Sequence, residues 1–267
     1  MLLYAQEKTV ISQAKHKQYK KEKYYFSWGY NSESYTKSDI HVSQPSLHND
    51  YTLVQVQGRD HEGWNDGIFN KQLSIPQYNY RLGYFFNEAK GWAFEINFDH
   101  TKFLVQELQN VHLKGTLSGE KADTMINFSA ANGFYYYLNN GANFLLFNIV
   151  KRWHWTQNHS GTIKVDVLAK AGIGPVVPHV ENSFFGKENS PHFQVGGWNT
   201  GVEGTVKVTF YNTMFLEFCN KVDYARYSHL SIYEGTVHQA FGTYEMILNL
   251  GVVLNSKSSK SPIPNSK

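Results

Sequence analysis

His229 and Ser231 form a His-x-Ser pair, and Glu234 follows closely. Period-two alternation puts His229 and Ser231 on one face of a strand, where an imidazole could take the serine proton while a carboxylate orients the ring. The register of that strand turns His229 toward an interior. A second cluster, Asp99-His100-Thr101-Lys102, joins a carboxylate, an imidazole and an ammonium. Such a set either binds a ligand or metal or belongs to the rim of a charge network. His41, His48, His61, His112, His179 and His192 are scattered in connecting segments, where imidazoles usually serve as polar surface groups. Zinc-ligand spacings, glycine-rich phosphate loops and nucleophile elbows are absent, so no motif implies a metal or a cofactor. Cys219 is the sole cysteine, which excludes an intrachain disulfide.

The elements that must position these residues are strands. Tyr78, Tyr80, Leu82, Tyr84 and Phe86 alternate with Gln77, Asn79, Arg81 and Gly83. Trp92, Phe94, Ile96 and Phe98 alternate with Glu95, Asn97 and Asp99. Only residues 87–91 separate the two runs, as in a tight hairpin. The pattern returns from Ile163 to Ile173, Trp198 to Phe210, Met214 to Tyr224 and Tyr244 to Val252. It is less clean from Tyr24 to Tyr30 and from Phe134 to Trp155, where Phe144, Leu146 and Val150 share a face with Asn148, Arg152 and His154.

The polar faces of these runs carry Arg81, Lys164, Lys170, Lys207 and Lys221 against Glu95, Asp99, Asp166, Glu203, Glu217, Asp223 and Glu245. In a small closed barrel the interior has room only for side chains, so these groups are expected to pair across it. A lipid-facing charge costs about 2–4 kcal/mol at the bilayer midplane, which directs the apolar face outward. A soluble barrel would do the reverse.

Connections at 87–91, 156–161 and 211–214 are short, whereas those at 32–74, 105–132, 180–196 and 230–235 are mostly long. Short periplasmic turns and long external loops alternate in this way in membrane barrels. The expectation is an all-β, closed antiparallel up-and-down transmembrane barrel of about eight strands with a polar, filled lumen. A hairpin within 35–60 extends beyond the membrane, or raises the count to ten if it inserts. Residues 1–23 read as a signal remnant and periplasmic lead-in, 24–255 as the barrel and 256–267 as a polar tail. Leu2-Leu3-Tyr4-Ala5 is either the end of a secretory signal or an ordinary start.

Composition agrees with this architecture. Apolar residues make up 41% and aromatics 16%, with 18 Tyr, 18 Phe and 6 Trp. Mean hydropathy is only −0.46, so the aromatics need a location such as interfacial girdles. No window is apolar enough for a transmembrane helix. A net charge of +3 with no basic stripe gives nucleic-acid binding no support.

The segments "YYFSWGYN…YTKSDIHV", "YTLVQVQGRD", "IPQYNYRLGYFF" and "FEINFDHTKF" resemble uncharacterised outer-membrane barrels of the Bacteroidota type, most clearly from Tyr24 to Leu104. The resemblance implies location and fold and carries no catalytic residues. The chain departs from the common barrel ending, a terminal aromatic, because Val252-Val253-Leu254-Asn255 is followed by a polar tail. The His229/Ser231 pair separately resembles the His-x-Ser arrangement of lipid A deacylase barrels, over three residues only, and in that family the triad faces lipid.

Three functions follow as expectations. The first is a non-enzymatic outer-membrane protein presenting external loops to lipid, a ligand or a partner protein. The second is an outer-leaflet lipid A hydrolase using His229, Ser231 and Glu234, and the third is a narrow channel. The implied partners are outer-membrane lipid and lipopolysaccharide, the insertion machinery, and a membrane or surface protein.

Overall fold

The computed structural model describes residues 22–61 and 77–255. The signal remnant, nearly all of the lead-in, the polar tail and residues 62–74 of the first long connection lie outside the described residues.

The strands run β1 (Glu22–Tyr35), β2 (Ser38–Gln44), β3 (Asn49–Val56), β4 (Gly58–Arg59), β5 (Tyr78–Asn87) and β6 (Trp92–His100). Next come β7 (Phe103–Val105), β8 (Gln109–Leu117), β9 (Glu120–Phe128), β10 (Tyr135–Leu138), β11 (Phe144–Gln157) and β12 (Ile163–Pro175). The last are β13 (His179–Phe184), β14 (Lys187–Glu188), β15 (His192–Phe193), β16 (Gly197–Phe210), β17 (Met214–Ile232) and β18 (Gly235–Asn255). Among the described residues no helix is long and apolar enough to cross a membrane.

Eight of these strands form a ring in the order β1-β5-β6-β11-β12-β16-β17-β18, which β1–β18 pairing completes. That closing seam runs from Glu22 opposite Asn255 to Tyr35 opposite Thr243, antiparallel throughout. Closure leaves the ring no free edge, so every ring strand has two hydrogen-bonding neighbours. The expected eight is therefore the count, and the 35–60 hairpin stays out of the ring.

The alternation read from the sequence becomes two faces. Phe94, Ile96, Phe147, Ile149, Val202, Phe218, Val222, Leu248 and Leu250 are exposed on the outside, while Arg81, Glu95, Asn97, Lys170 and Glu203 are buried within. Phe86, Trp92, Trp153 and Trp155 gather at the short-turn end of the outer face, and Trp198, Tyr224 and Tyr244 at the other. This is the inverse of a soluble barrel.

The interior is not uniformly polar, which corrects the sequence reading. Near the short turns Tyr25, Phe85, Ala93, Val150, Leu168, Phe215 and Val253 form an apolar layer. The β11 face that looked mixed in sequence supplies it, because Val150 turns inward one pleat from Asn148. Glycines make room for its rings. A Cβ on Gly83 would lie 1.9 Å from Cζ of Tyr25, and one on Gly251 would lie 2.1 Å from Cζ of Phe215. Gly83→Ala is expected to destabilise the fold by about 1–3 kcal/mol through overpacking. Equilibrium unfolding in detergent micelles measures this, and adding Tyr25→Ala should recover most of the loss. An additive double mutant would show that the two positions do not compete for space.

The far end of the ring carries a folded cap where the sequence suggested long loops. β2 follows β1 along the same edge of β18, since Tyr35 pairs with Thr243 and Ile40 with Gln239. The break between them is tied down where the Thr36 N–H donates to the Gly242 carbonyl at 2.9 Å and the Gly242 N–H donates to Thr36 Oγ1 at 2.9 Å. β3, β8 and β9 then extend the sheet from β2. A second sheet, β14-β13-β10-β7-β4 with β15 beside β13, forms the other layer. Ile40, Leu53, Phe103, Leu113, Phe128, Tyr136, Phe184, Tyr227 and Phe241 are among the buried residues of a core shared by the two sheets. The expected 230–235 loop is only a tight turn, because β17 and β18 continue as a hairpin far past the ring.

Candidate functional site

Eight of the charges named from the sequence gather in two buried clusters inside the ring. Arg81 on β5 donates to Glu203 on β16 at 2.6 Å and stands 3.6 Å from Glu95 on β6. Lys170 on β12 bridges the same two carboxylates, at 2.9 Å from Glu95 and 3.2 Å from Glu203. Neutral donors complete the layer: the Tyr25 hydroxyl to Glu95 at 2.8 Å, Asn148 to Glu95 at 3.2 Å and Thr205 to Glu203 at 2.5 Å. Two cations face two anions, and all four are buried. Burial of this kind holds only where each charge is paired and hydrogen-bonded.

Toward the cap, the Lys221 ammonium sits among three carboxylates, at 2.5 Å from Asp99, 3.0 Å from Asp223 and 3.4 Å from Glu245. Asn97 donates to Asp99 at 2.8 Å. Above this layer the inward positions of β17 turn apolar, with Ala225 and Tyr227 joining the cap core. The Tyr227 hydroxyl donates to the Ala142 carbonyl at 3.0 Å, and the Tyr35 hydroxyl to the Lys102 carbonyl at 2.9 Å.

At the short-turn end the pairing differs from expectation. Lys207 reaches Glu22 at 2.9 Å, and Arg152 binds both Glu22 and Glu88. The ammonium of Lys207 also lies 3.8 Å from the Phe215 ring centroid. Glu217, its cross-strand neighbour, is consequently buried with neither carboxylate oxygen hydrogen-bonded. Asp166 meets His154 Nδ1 at 2.9 Å, and Lys164 is half-buried at the start of β12. Glu22 was hidden in the polar lead-in, and Arg152 in a run whose faces looked mixed. Tyr25, Asn148 and Thr205 carry no charge and were not expected to take part.

Asp99 and His100 part company. Successive strand residues point to opposite faces, so Asp99 enters the interior while His100 turns outward. His100 Nδ1 lies 2.8 Å from Asn143 Oδ1, and its ring stacks on Tyr78 at 4.6 Å. Thr101 and Lys102 are buried beneath the cap.

The His229, Ser231 and Glu234 set is not assembled. A β-bulge between Tyr227 and Leu230 interrupts the alternation, and His229 takes a positive φ of 57°. The bulge rotates His229 to the outer face, correcting the interior register expected for it. Its ring packs against His238 with centroids 4.6 Å apart. The Ser231 N–H donates to Gln194 at 2.9 Å, and Glu234 accepts from Ser46 at 3.0 Å. Among the described residues no hydrogen bond joins any two of the three.

The loop histidines also find separate places. His41 lies 3.2 Å from Thr52 Oγ1 and 6.2 Å, ring to ring, from His238. His112 meets Asp123 at 2.5 Å, His179 packs on Phe193, and His192 contacts the Ser190 carbonyl. His48 occupies a left-handed turn position, and His61 ends the first described segment. Among the described residues no group of three or more His, Cys, Asp or Glu is arranged to hold a metal ion. His41, His238 and His229 nonetheless form a row across β2, β18 and β17 in the cap. Desolvation, then the neighbouring His229, His41 and Arg226, lower the pKa of His238, which favours its neutral form.

No protein-family model matches the chain, and no curated protein matches it. Among solved structures it is similar to neisserial surface protein A, with 9% identity over 86% of this chain and 97% of that one, TM-score 0.36. It is also similar to outer membrane protein OprG from Pseudomonas aeruginosa, with 8% identity over 89% and 98% of the two chains, TM-score 0.37. The attachment invasion locus protein Ail of Yersinia pestis, in complex with a heparin analogue, shows 12% identity over 86% and 97%, TM-score 0.30.

Proposed function

We propose that the chain is a non-enzymatic outer-membrane β-barrel whose filled ring anchors a rigid β-sheet cap outside the cell. The observation that carries this reading is the outer face of the ring. Exposed Leu, Ile, Val and Phe form a band between two sets of exposed aromatics, and the charges are buried behind it. Such a surface is unfavourable in water and matches lipid bounded by interfacial Trp and Tyr. The cap then supplies the contact surface for lipid, ligand or a partner protein, held by a dry core rather than by mobile loops.

The interior supports an anchor over a channel. The paired charges lie between the apolar layer at the short turns and the cap core, so an ion would have to cross two dry layers. Planar-bilayer recordings are expected to show no steady current, and a sustained open conductance would overturn this point. Among the described residues no contact favours the hydrolase, because no hydrogen bond joins His229 to Ser231. Lipid A from cells with and without the protein should have the same acyl pattern.

Orientation has its own test. In a Cys219→Ala background, cysteine placed at His112 in the cap should react in intact cells with a membrane-impermeant maleimide. Cysteine at Ser160 in a short turn should react only after lysis. The opposite pattern would invert the topology.

A further inference from the structure

On the outward row of β17, Met214, Leu216, Phe218, Asn220, Val222 and Tyr224 are followed by Arg226, the first charge the row carries. Arg226 pairs directly across from Trp198, whose ring packs on Tyr224 at a centroid distance of 5.8 Å. Two residues of strand span about 7 Å, so Arg226 stands one pleat past Tyr224, level with Trp198 at the cap end of the aromatic belt. A shallow, open recess of about 440 Å³ lies there, lined by Tyr224, Arg226, Ala240, His238 and Lys37 among others. The break between β1 and β2 brings Lys37 into it, and Ala240 leaves its floor low.

The charges in this cavity are unevenly matched. Among the described residues neither the Lys37 nor the Arg226 side chain has an ion-pair or hydrogen-bond partner. Asp39, the only carboxylate in the lining, already accepts the Gln55 backbone N–H at 2.8 Å and faces Gln55 Nε2 at 3.5 Å. Two unpaired cations therefore share a recess that begins where the apolar belt ends. A guanidinium binds a phosphate through two parallel N–H···O bonds, and an ammonium adds a point charge. Basic pockets at this depth are suited to lipid head groups.

We infer that this cavity holds the phosphate of a membrane lipid headgroup, clamped by Arg226 and Lys37, with the acyl chains lying down the Tyr224–Val222 surface. The inference rests on the reading that the ring spans a membrane, and it goes further in naming the ligand's chemistry and its two ligating residues. Tyr224 and Trp198 would flank the headgroup at the interface. The same phosphate chemistry could come from a soluble anion, which lacks the chains to occupy the apolar surface below.

The test is native mass spectrometry of the full chain released from detergent micelles, titrated separately with bis-phosphorylated lipid A, its dephosphorylated form and inorganic diphosphate. Lipid A should be retained at least about tenfold more tightly than the dephosphorylated lipid, and Arg226→Gln and Lys37→Gln should each weaken retention about tenfold, as expected for loss of a charged hydrogen bond. Lys151→Gln, on the outward row at the opposite end, should leave it unchanged. Equal retention of the two lipids, or wild-type retention by both cavity variants, would overturn the inference. Binding of diphosphate as tight as that of lipid A would also do so, since it would make the ligand a soluble anion. The same preparations are scored for insertion into phosphatidylcholine vesicles. Failure to insert removes the membrane reading itself, whereas insertion without lipid preference removes only the headgroup site.

Discussion

Arg81→Met is expected to lower the unfolding free energy by about 3–5 kcal/mol, the range for removing one partner of a buried ion pair. Arg81 is fully buried and answers Glu203 at 2.6 Å, with Glu95 at 3.6 Å. Without it two carboxylates would share the single ammonium of Lys170, in a layer closed from water on both sides. The loss comes from the uncompensated charge rather than from the missing contact. Arg81→Met combined with Glu203→Gln should therefore recover most of it. Urea unfolding in micelles, followed by the gel mobility of the folded form, measures both variants. A single-mutant loss below about 1 kcal/mol would mean that water reaches this layer and screens it.

Phe103→Ala should cost a similar amount, about 3–5 kcal/mol for a buried phenylalanine, but in a different part of the molecule. Phe103 stacks on Phe241 at 4.6 Å and 8°, and meets Tyr35 edge-on at 5.1 Å. A Cβ on Gly58 would lie 2.1 Å from its ring, so the backbone of β4 is also fitted to it. The cap would loosen while the ring, held by its own closed ladder, would remain. Limited proteolysis of the reconstituted protein should then cut within 36–60 and 103–142 and leave the ring portions of β16 to β18, residues 197–224 and 243–255, protected. Simultaneous loss of both regions would show that cap and ring fold as one unit.

The ring was legible because its constraint is local. A strand with apolar residues outside and paired charges inside writes its two faces directly into alternate residues, as Arg81, Glu95, Lys170 and Glu203 show. The cap was less legible because its strands are short and its apolar residues are shared between two layers. Residues 109–128 illustrate this. Val111 and Leu113 alternate, and Ser118-Gly119 makes the turn with φ of 52° and 84°, yet the segment read as loop. The Ser-Gly pair was the available signal. The His229 register was illegible for another reason: a bulge is one extra residue, and nothing in the tripeptide His229-Leu230-Ser231 announces it. Neutral members of the interior network, Tyr25, Asn148 and Thr205, were missed because alternation ranks charge above hydrogen-bonding capacity.

The membrane anchor proposed above requires the outer face of the ring to lie in lipid. Nitroxide labels at Leu216, Phe218 and Val222, in a Cys219→Ala background reconstituted in phospholipid vesicles, test it most directly. A label at His112 in the cap serves as the reference. The three belt positions should be relaxed strongly by oxygen and weakly by a water-soluble nickel chelate, with the order reversed at His112. Nickel access at Phe218 and Val222 equal to that at His112 would place the belt in water and rule out a membrane-spanning ring.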